Sequence, residues 1–395
     1  MIVTHLSLTD FRNYETAEVP LVAGPNLFVG SNGQGKTNLV ESLGYLSTLG
    51  SHRIAVDHAM IRQGTDSAIV RARLENGERQ LLVEVQLNRS TANRAQVNRS
   101  VIKTRELPRY FSSVLFAPED LALIRGDPSG RRRFLDELLI LRSPRLSGVM
   151  ADYDRVVRQR NTLLKSARAS GLKETQLGTL EIWDDRLVSL GSELISARCM
   201  LVAELLPELG ASYMAVAGAD HRASLTLHLS ILSSSSDVAR EDDGGEVHTT
   251  DSAPDDPRAV EEIATTFRAA LARMKRSELD RGITLVGPHR DDLMLQLNGL
   301  PAKGYASHGE SWSFALALKL ASAELLRRES ATGDPVLMLD DVFAELDEAR
   351  RTRLATAVAG YEQVLITAAV FDDVPVELRG NAVHIANGTV VSEPT

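Results

Sequence analysis

Gly30-Ser31-Asn32-Gly33-Gln34-Gly35-Lys36-Thr37 fits the pattern GxxxxGK[ST], a loop that can cradle phosphate oxygens. Its glycines let consecutive backbone N–H groups converge on an anion at a helix N-terminus, where the helix dipole adds to the attraction. Ser31, Asn32 and Gln34 fill the positions between them. In such a loop Lys36 reaches the β and γ phosphates of a nucleoside triphosphate, and the Thr37 hydroxyl ligates Mg²⁺. A second run, Val336-Leu337-Met338-Leu339-Asp340-Asp341, is apolar until it ends in two acids. It reads as a buried strand delivering carboxylates at its C-terminal end, where open α/β sheets hold their ligands. Asp340 would hold Mg²⁺ through water, and Asp341 would polarise an attacking water as general base.

Both groups need rigid supports. Asn26-Leu27-Phe28-Val29 reads as a short buried strand entering the loop, and Leu39, Val40, Leu43 and Leu46 continue from it at helical spacing. Ala68, Val70, Ala72 and Leu74, then Leu81, Val83, Val85 and Leu87, alternate on either side of Asn76-Gly77, which predicts an antiparallel hairpin with one apolar face. From Leu180 through Trp183, Leu187, Leu190, Leu194, Ala197 and Leu201 the apolar spacing becomes 3-4-3-4, a helical seam in which Cys199 reads as a small core residue. Residues 129–217 are therefore expected to form two or more antiparallel helices. The stretch 233–257 is rich in Ser, Asp and Gly and nearly without apolar residues, and is expected to be a mobile acidic loop.

Lys36 and Asp340 stand 304 residues apart, far more than a compact nucleotide domain needs between these two elements. A large insertion must separate them. Ser307-His308-Gly309-Glu310, opening an apolar helix, resembles the S-x-G-[EQ] signature of ABC-type ATPases, and Ala344-Glu345-Leu346-Asp347 is similar to the D-loop that follows their acidic strand. That resemblance implies a site completed by dimerisation, with Ser307, Gly309 and Glu310 presented to the γ-phosphate of a second subunit and Asp347 at the D-loop.

The whole chain resembles the RecF family of SMC-like DNA replication and repair ATPases. The similarity rests on Leu8-Thr9-Asp10-Phe11-Arg12-Asn13-Tyr14, on Pro118-Glu119-Asp120 with Ile124, Gly126, Arg131-Arg132 and Phe134-Leu135-Asp136, and on Gly287-Pro288-His289-Arg290-Asp291-Asp292. It implies an α/β fold: an ABC-type head with an antiparallel β subdomain, split between 1–120 and 280–395, and an inserted helical arm over 121–279. It further implies ATP and Mg²⁺ as cofactors, an ATP-dependent homodimer and slow, DNA-stimulated hydrolysis used as a switch. Binding to duplex, gapped or single-strand/duplex junction DNA follows from the same resemblance, as do the partners RecO and RecR in loading RecA recombinase. Arg12, Asn13, Ser51 and Arg53 are expected near the nucleotide, and His289, Asp291 and Asp292 as structural or dimer-contact residues. The signature departs from the common S-Q-G-Q-Q-R by reading Ser-His-Gly-Glu-Ser-Trp.

Composition permits this reading. The net charge of −9 is concentrated: residues 237–262 hold 10 acids against 2 bases, whereas residues 125–168 hold 11 bases against 5 acids. Within the basic stretch, Arg131, Arg132, Arg133, Arg155, Arg158 and Lys165 are candidate contacts to DNA phosphates, with Arg142, Arg145, Arg160 and Arg168 in the wider set. Aromatic residues are only 5%, so base stacking is not expected to drive binding. A single cysteine rules out a disulfide framework, and the sequence shows neither a signal peptide nor an uninterrupted apolar run of membrane-spanning length. A cytoplasmic protein is expected. Two rival readings are a transporter's nucleotide-binding subunit, disfavoured by Thr367 where transporters carry a switch His, and a DNA-binding scaffold with a vestigial ATP site.

Overall fold

The predicted hairpin forms with its loop one residue later than expected. In the computed structural model, Asn76 pairs with Arg79 and the two-residue turn is Gly77-Glu78, with Gly77 at φ +55°. That left-handed value is what a turn matching the strands' twist requires, and glycine meets it without strain. The structure describes residues 1–54, 56–171, 178–233, 259–330 and 333–391. Nearly all of the acidic loop 233–257 lies outside these residues.

In chain order the strands are β1 (Ile2–Phe11), β2 (Tyr14–Pro20), β3 (Gly24–Val29), β4 (Ser67–Asn76), β5 (Arg79–Asn88), β6 (Arg94–Val97), β7 (Ser100–Ile102) and β8 (Ser113–Phe116). There follow β9 (Ser224–His228), β10 (Asp292–Leu297), β11 (Leu300–Pro301), β12 (Val336–Asp340), β13 (Gln363–Ala368), β14 (Asn381–Ala386) and β15 (Thr389–Val391). The chain divides into two compact units, one of Met1–Arg125, Glu208–Ala223 and Ala302–Thr395, the other of Gly126–Pro207 and Ser224–Pro301.

The first unit carries two six-stranded sheets. One is antiparallel in the order β2-β1-β4-β5-β6-β7; the other runs β15-β14-β3-β13-β12-β8, parallel except for the edge strand β15. The helix Lys36–Thr48 shares one hydrophobic cluster with both, through Leu39, Val40, Leu43 and Leu46 on its side, Val70, Ala72, Val83 and Val85 from the antiparallel sheet, and Met338 and Leu365 from the parallel one. Contact on both flanks explains why even its Ser42, Gly44 and Ser47 are buried. Each fully buried Leu or Val contributes roughly 1.5–3 kcal/mol, so this helix is anchored mainly by packing.

The second unit departs from an all-helical arm. It holds the helices Pro128–Arg142, Leu146–Ala169 and Val260–Arg281 and most of the 40-residue helix Gly178–Ala217, together with a three-stranded sheet β11-β10-β9. Because β10 pairs with β9, residues 280–301 group with the insertion, and the expected boundary at 279/280 falls inside this unit. Residues 208–223, expected in the arm, group with the first unit.

Leu180–Ala217 is long and apolar enough by length and composition to cross a membrane, with an 18-residue window of mean hydropathy 1.3. One face of it is a core face: Leu187, Val188, Leu194, Ile195, Leu201 and Leu205 are buried, Arg198 in their midst is ion-paired with Asp136, and Ile182, Met200, Leu206 and Met214 are exposed. Trp183 and Cys199 are only half-buried. Arg160, one of the bases of the 125–168 stretch, is fully buried. It falls in phase with Tyr153, Val156 and Leu164, and bonds Asp184 at 2.7 Å, Glu278 at 2.6 Å and Thr284 at 2.9 Å.

Candidate functional site

All the phosphate-site candidates lie in the first unit. The parallel sheet makes the site by register: β3 delivers the glycine loop, β12 ends in Asp340, and β13, hydrogen-bonded to both, ends beside them. Gly35 sits at φ +120°, and a Cβ there would come within 2.8 Å of the Tyr14 hydroxyl and 2.9 Å of Asn13 Nδ2. A Cβ on Gly30 would overlap the Ile385 carbonyl oxygen. Gly33, at φ +79°, has open space beside it. The loop is therefore pinned at two glycines and open at the third.

The loop is held from several directions. Asn13 Nδ2 donates to the Gln34 carbonyl at 3.0 Å, Tyr14 to the Gly35 carbonyl at 3.1 Å, and the backbone of Asn387 to Gln34 Oε1 at 2.6 Å. Lys36 Nζ folds back on the carbonyls of Gly30 at 2.5 Å and Ser31 at 3.0 Å. Burial lowers its pKa, opposed by Asp341 and Asp340. Ser31 and Asn32 flank these carbonyls, and Asn32 is exposed.

Thr37 Oγ1 donates to Asp340 Oδ1 at 3.0 Å. Thr367 Oγ1 donates to the same oxygen at 2.5 Å and accepts the Asp341 N–H at 2.9 Å. Burial pushes the Asp340 carboxyl up to about 6, the two threonine hydrogen bonds pull it down, and nearby Glu119 and Asp341 raise it. Burial also raises Asp341, against the pull of Lys36. Asp341 holds φ +52°, a left-handed conformation unfavourable for a residue other than glycine.

Arg12 is engaged differently from a free phosphate ligand. Its Nε and Nη2 bond both oxygens of the buried Glu41 at 2.8 and 2.6 Å, and Nη1 reaches the Ala59 carbonyl. Ser51 also donates to Glu41. Burial would raise the Glu41 carboxyl, but the Arg12 and Ser51 hydrogen bonds hold it below its ordinary value. Arg53 donates to Asn38 Oδ1 at 3.2 Å, and Asn38 in turn to Asn13 at 2.7 Å, so Asn13 and Arg53 join one network beside the loop.

Ser307 caps the helix His308–Glu329: its Oγ accepts the Glu310 N–H at 3.3 Å, and Glu310 Oε2 accepts the Ser307 N–H at 2.8 Å. This reciprocal cap fixes the helix start and its exposed first turn. Glu310 is held ionised by these bonds with Ser307. Trp312 is buried, packs edge-on to Phe116 and donates to His308 Nε2 at 3.1 Å. Asp347 caps the next helix, Glu348–Val358, through the Arg350 N–H at 2.8 Å.

The basic candidates separate. Arg131 is buried and forks onto Asp292, with both bonds at 2.7 Å, and onto the Gly126 carbonyl; it is a structural residue, and the expectation that it meets DNA is corrected. Arg132 is partly buried and donates to the Asp291 carbonyl at 2.7 Å. Arg133 pairs with Glu137 and Arg155 with Asp152. Arg155, Arg158 and Lys165 are exposed on one face of Leu146–Ala169. His289 bonds the Tyr153 hydroxyl at 2.7 Å, and Asp291 is buried against Ser230, so both are built into the second unit. Among the described residues no cluster of His, Cys, Asp and Glu could hold a metal by itself.

Sequence reasoning missed Thr367 as a partner of both acids, Glu41 as the anchor of Arg12 and Ser51, and Glu119 as a charge near Asp340. The parallel pairing of β12 with β13 and β8 was the missing information.

A glycine loop after β3, an acidic pair at the end of β12 and a separate capped signature helix, in one unit built on a largely parallel sheet, define the head of an ABC-type ATPase. Residues 2–374 match the family model "RecF/RecN/SMC N terminal domain". Proteins described as DNA replication and repair protein RecF are similar throughout. That of Leifsonia xyli subsp. xyli is 68% identical over 395 residues, covering all of both chains, and that of Clavibacter sepedonicus is 66% identical over 399 residues, covering all of this chain and 96% of the other. A solved structure of "the recombination mediator protein RecF-ATPrS in RecFOR pathway" superposes with a TM-score of 0.84 at 26% identity, over 98% of this chain and 97% of that one. An SMC head bound to the C-terminal winged-helix domain of ScpA, at 14% identity and TM-score 0.51, shares the fold. The chain belongs to the RecF family.

Proposed function

We propose that this protein is a cytoplasmic DNA replication and repair ATPase that uses ATP to dimerise on DNA. The observation that carries the reading is the Thr37–Asp340 hydrogen bond beneath an open glycine loop. The residues fit a triphosphate with a hard cation. A hydroxyl and a carboxylate are the oxygen donors Mg²⁺ prefers, and Asp340 is a nearly buried carboxyl whose own surroundings supply too little positive charge. Mg²⁺ on Thr37 and Asp340 would neutralise phosphate charge. The loop N–H groups and Lys36 would hold the β and γ phosphates, Lys36 leaving its carbonyl partners to do so. Asp341 would orient a water and accept its proton on the carboxylate, a task favoured by a pKa raised above the ordinary range. Ser307, Gly309 and Glu310 would meet the γ-phosphate of a second copy, with Asp347 at the junction.

Hydrolysis in this reading is weak and DNA-stimulated, and limits how long the dimer stays closed. The exposed Arg155, Arg158 and Lys165, with Arg132 and Arg133, would hold duplex or junction backbone. RecO and RecR are the partners proposed from the family, with RecA loading as the outcome. Sedimentation of the chain with gapped duplex, with and without Mg-ATP, tests the switch. The reading expects an ATP-dependent DNA-bound dimer, and a Ser307→Arg variant that binds ATP yet stays monomeric. A wild type that stays monomeric, or dimerises equally without nucleotide, rejects it.

A further inference from the structure

Arg350 lies against the signature glycine. A Cβ built on Gly309 would stand 2.8 Å from Arg350 Nη1, 3.1 Å from Nη2 and 3.3 Å from Cζ, so the guanidinium lies over the Gly309 backbone and would have to shift for any side chain there. The same side chain is tied to Asp347, with Nη1 donating to Oδ2 at 3.1 Å, while its own N–H is taken by Oδ1 at 2.8 Å. Its Nε is buried with no hydrogen-bond partner among the described residues, and 28% of the side chain remains exposed. One arginine therefore joins the D-loop to the start of the signature helix.

Charge gives that arrangement a purpose. A phosphate approaching Ser307 and the Gly309 N–H meets the Glu310 carboxylate, which Ser307 keeps ionised. Two like charges a few ångströms apart repel, so a phosphate at this helix start needs a cation beside it. His221 is 3.7 Å from Glu310 but is engaged by Tyr213, and Trp312 on the same helix is buried and neutral. Arg350 is the permanently charged group that lies on Gly309 itself, and a planar guanidinium can bond phosphate oxygens through two nitrogens at once. We infer that Arg350 is a ligand of the γ-phosphate held by a second copy of this chain, acting with Ser307 and Gly309 and offsetting Glu310. This rests on the ATP-dependent dimer proposed above.

The test pairs Arg350→Ala with Lys36→Ala. Alone, Arg350→Ala is expected to bind ATP as a monomer like wild type but to dimerise at least about 10-fold more weakly and to lose turnover, since arginines at transferring phosphates contribute far more than that in other enzymes. Lys36→Ala alone should be inactive. Mixed, the two should regain turnover, because one composite site then combines Lys36 of the first chain with Arg350 of the second. That recovery places the defect on the face offered to the partner's site, and it is the comparison of lysine with glutamine that separates a phosphate ligand from a residue that only positions Gly309. Arg350→Lys and Arg350→Gln provide a second comparison that keeps side-chain bulk: lysine should recover part of the dimerisation and glutamine none.

The inference is overturned if the mixture is no more active than its separate parts, if Arg350→Ala dimerises and turns over like wild type, or if lysine and glutamine behave alike. A wild type that fails to dimerise with ATP removes the underlying reading instead, and the two failures are told apart by that control.

Discussion

Thr37 Oγ1 and Asp340 Oδ1 are hydrogen-bonded at 3.0 Å although 303 residues separate them in the chain. Thr37 stands in the first turn of the helix that follows β3, and Asp340 ends β12, so the bond ties the phosphate-loop helix to the acidic strand. Asp340→Asn keeps an oxygen to accept from both Thr37 and Thr367 while removing a buried charge. Thermal stability without nucleotide should be unchanged or higher. Turnover with Mg-ATP should fall by about 100-fold or more, read by phosphate release.

Arg160 is fully buried in the second unit, and Glu278 beside it is equally inaccessible. Removing one partner of such a pair strands the other in a medium that solvates it poorly. Arg160→Ala should therefore cost on the order of 3–5 kcal/mol in denaturant unfolding. Simultaneous replacement of Arg160 and Glu278 by apolar residues of similar volume should cost less than Arg160→Ala alone.

Burial lowers the His289 pKa to about 3, with the Thr284 carbonyl acting in the opposite direction. The folded state thus binds fewer protons than the unfolded chain between pH 6.5 and about 3. The stability that depends on neutral His289 is complete above pH 6.5 and is lost as the pH falls, by up to about 1.4 kcal/mol per pH unit. His289→Gln should flatten that part of the stability profile, as followed by chemical denaturation at a series of pH values.

Arg155, Arg158 and Lys165 share an exposed helix face, whereas Arg131 is committed to Asp292. Replacing the first three by alanine should weaken DNA binding and reduce the slope of log K against log salt by up to about 0.9 for each phosphate no longer neutralised. Fluorescence anisotropy across a salt series reads this directly. Arg131→Ala should lower stability instead, leaving the salt slope of the folded fraction unchanged.

Much of the candidate phosphate site was legible in the chain. The glycine loop, its strand and helix, the apolar strand ending in Asp340 and Asp341, and the helix opening at Ser307 all follow from local spacing, because hydrogen bonding within a loop or helix is a property of near neighbours. The hairpin was legible for the same reason, though its turn slipped by one residue to Gly77-Glu78. Arg160 reads as one of the basic candidates for DNA phosphates, and its burial against Asp184 and Glu278 corrects that expectation.

What tertiary structure alone decided were the partners. Thr367 meets both acids because β13 lies parallel to β12 in register, and Arg12 is bound by Glu41 instead of standing free. Arg131 and Arg155 belong to one basic stretch, yet one is sealed onto Asp292 and the other remains in water. Sequence spacing states which residues share a face. Whether a charge on that face is solvated or buried depends on the opposing carboxylate, supplied from a part of the chain more than a hundred residues away in the case of Arg131 and Asp292.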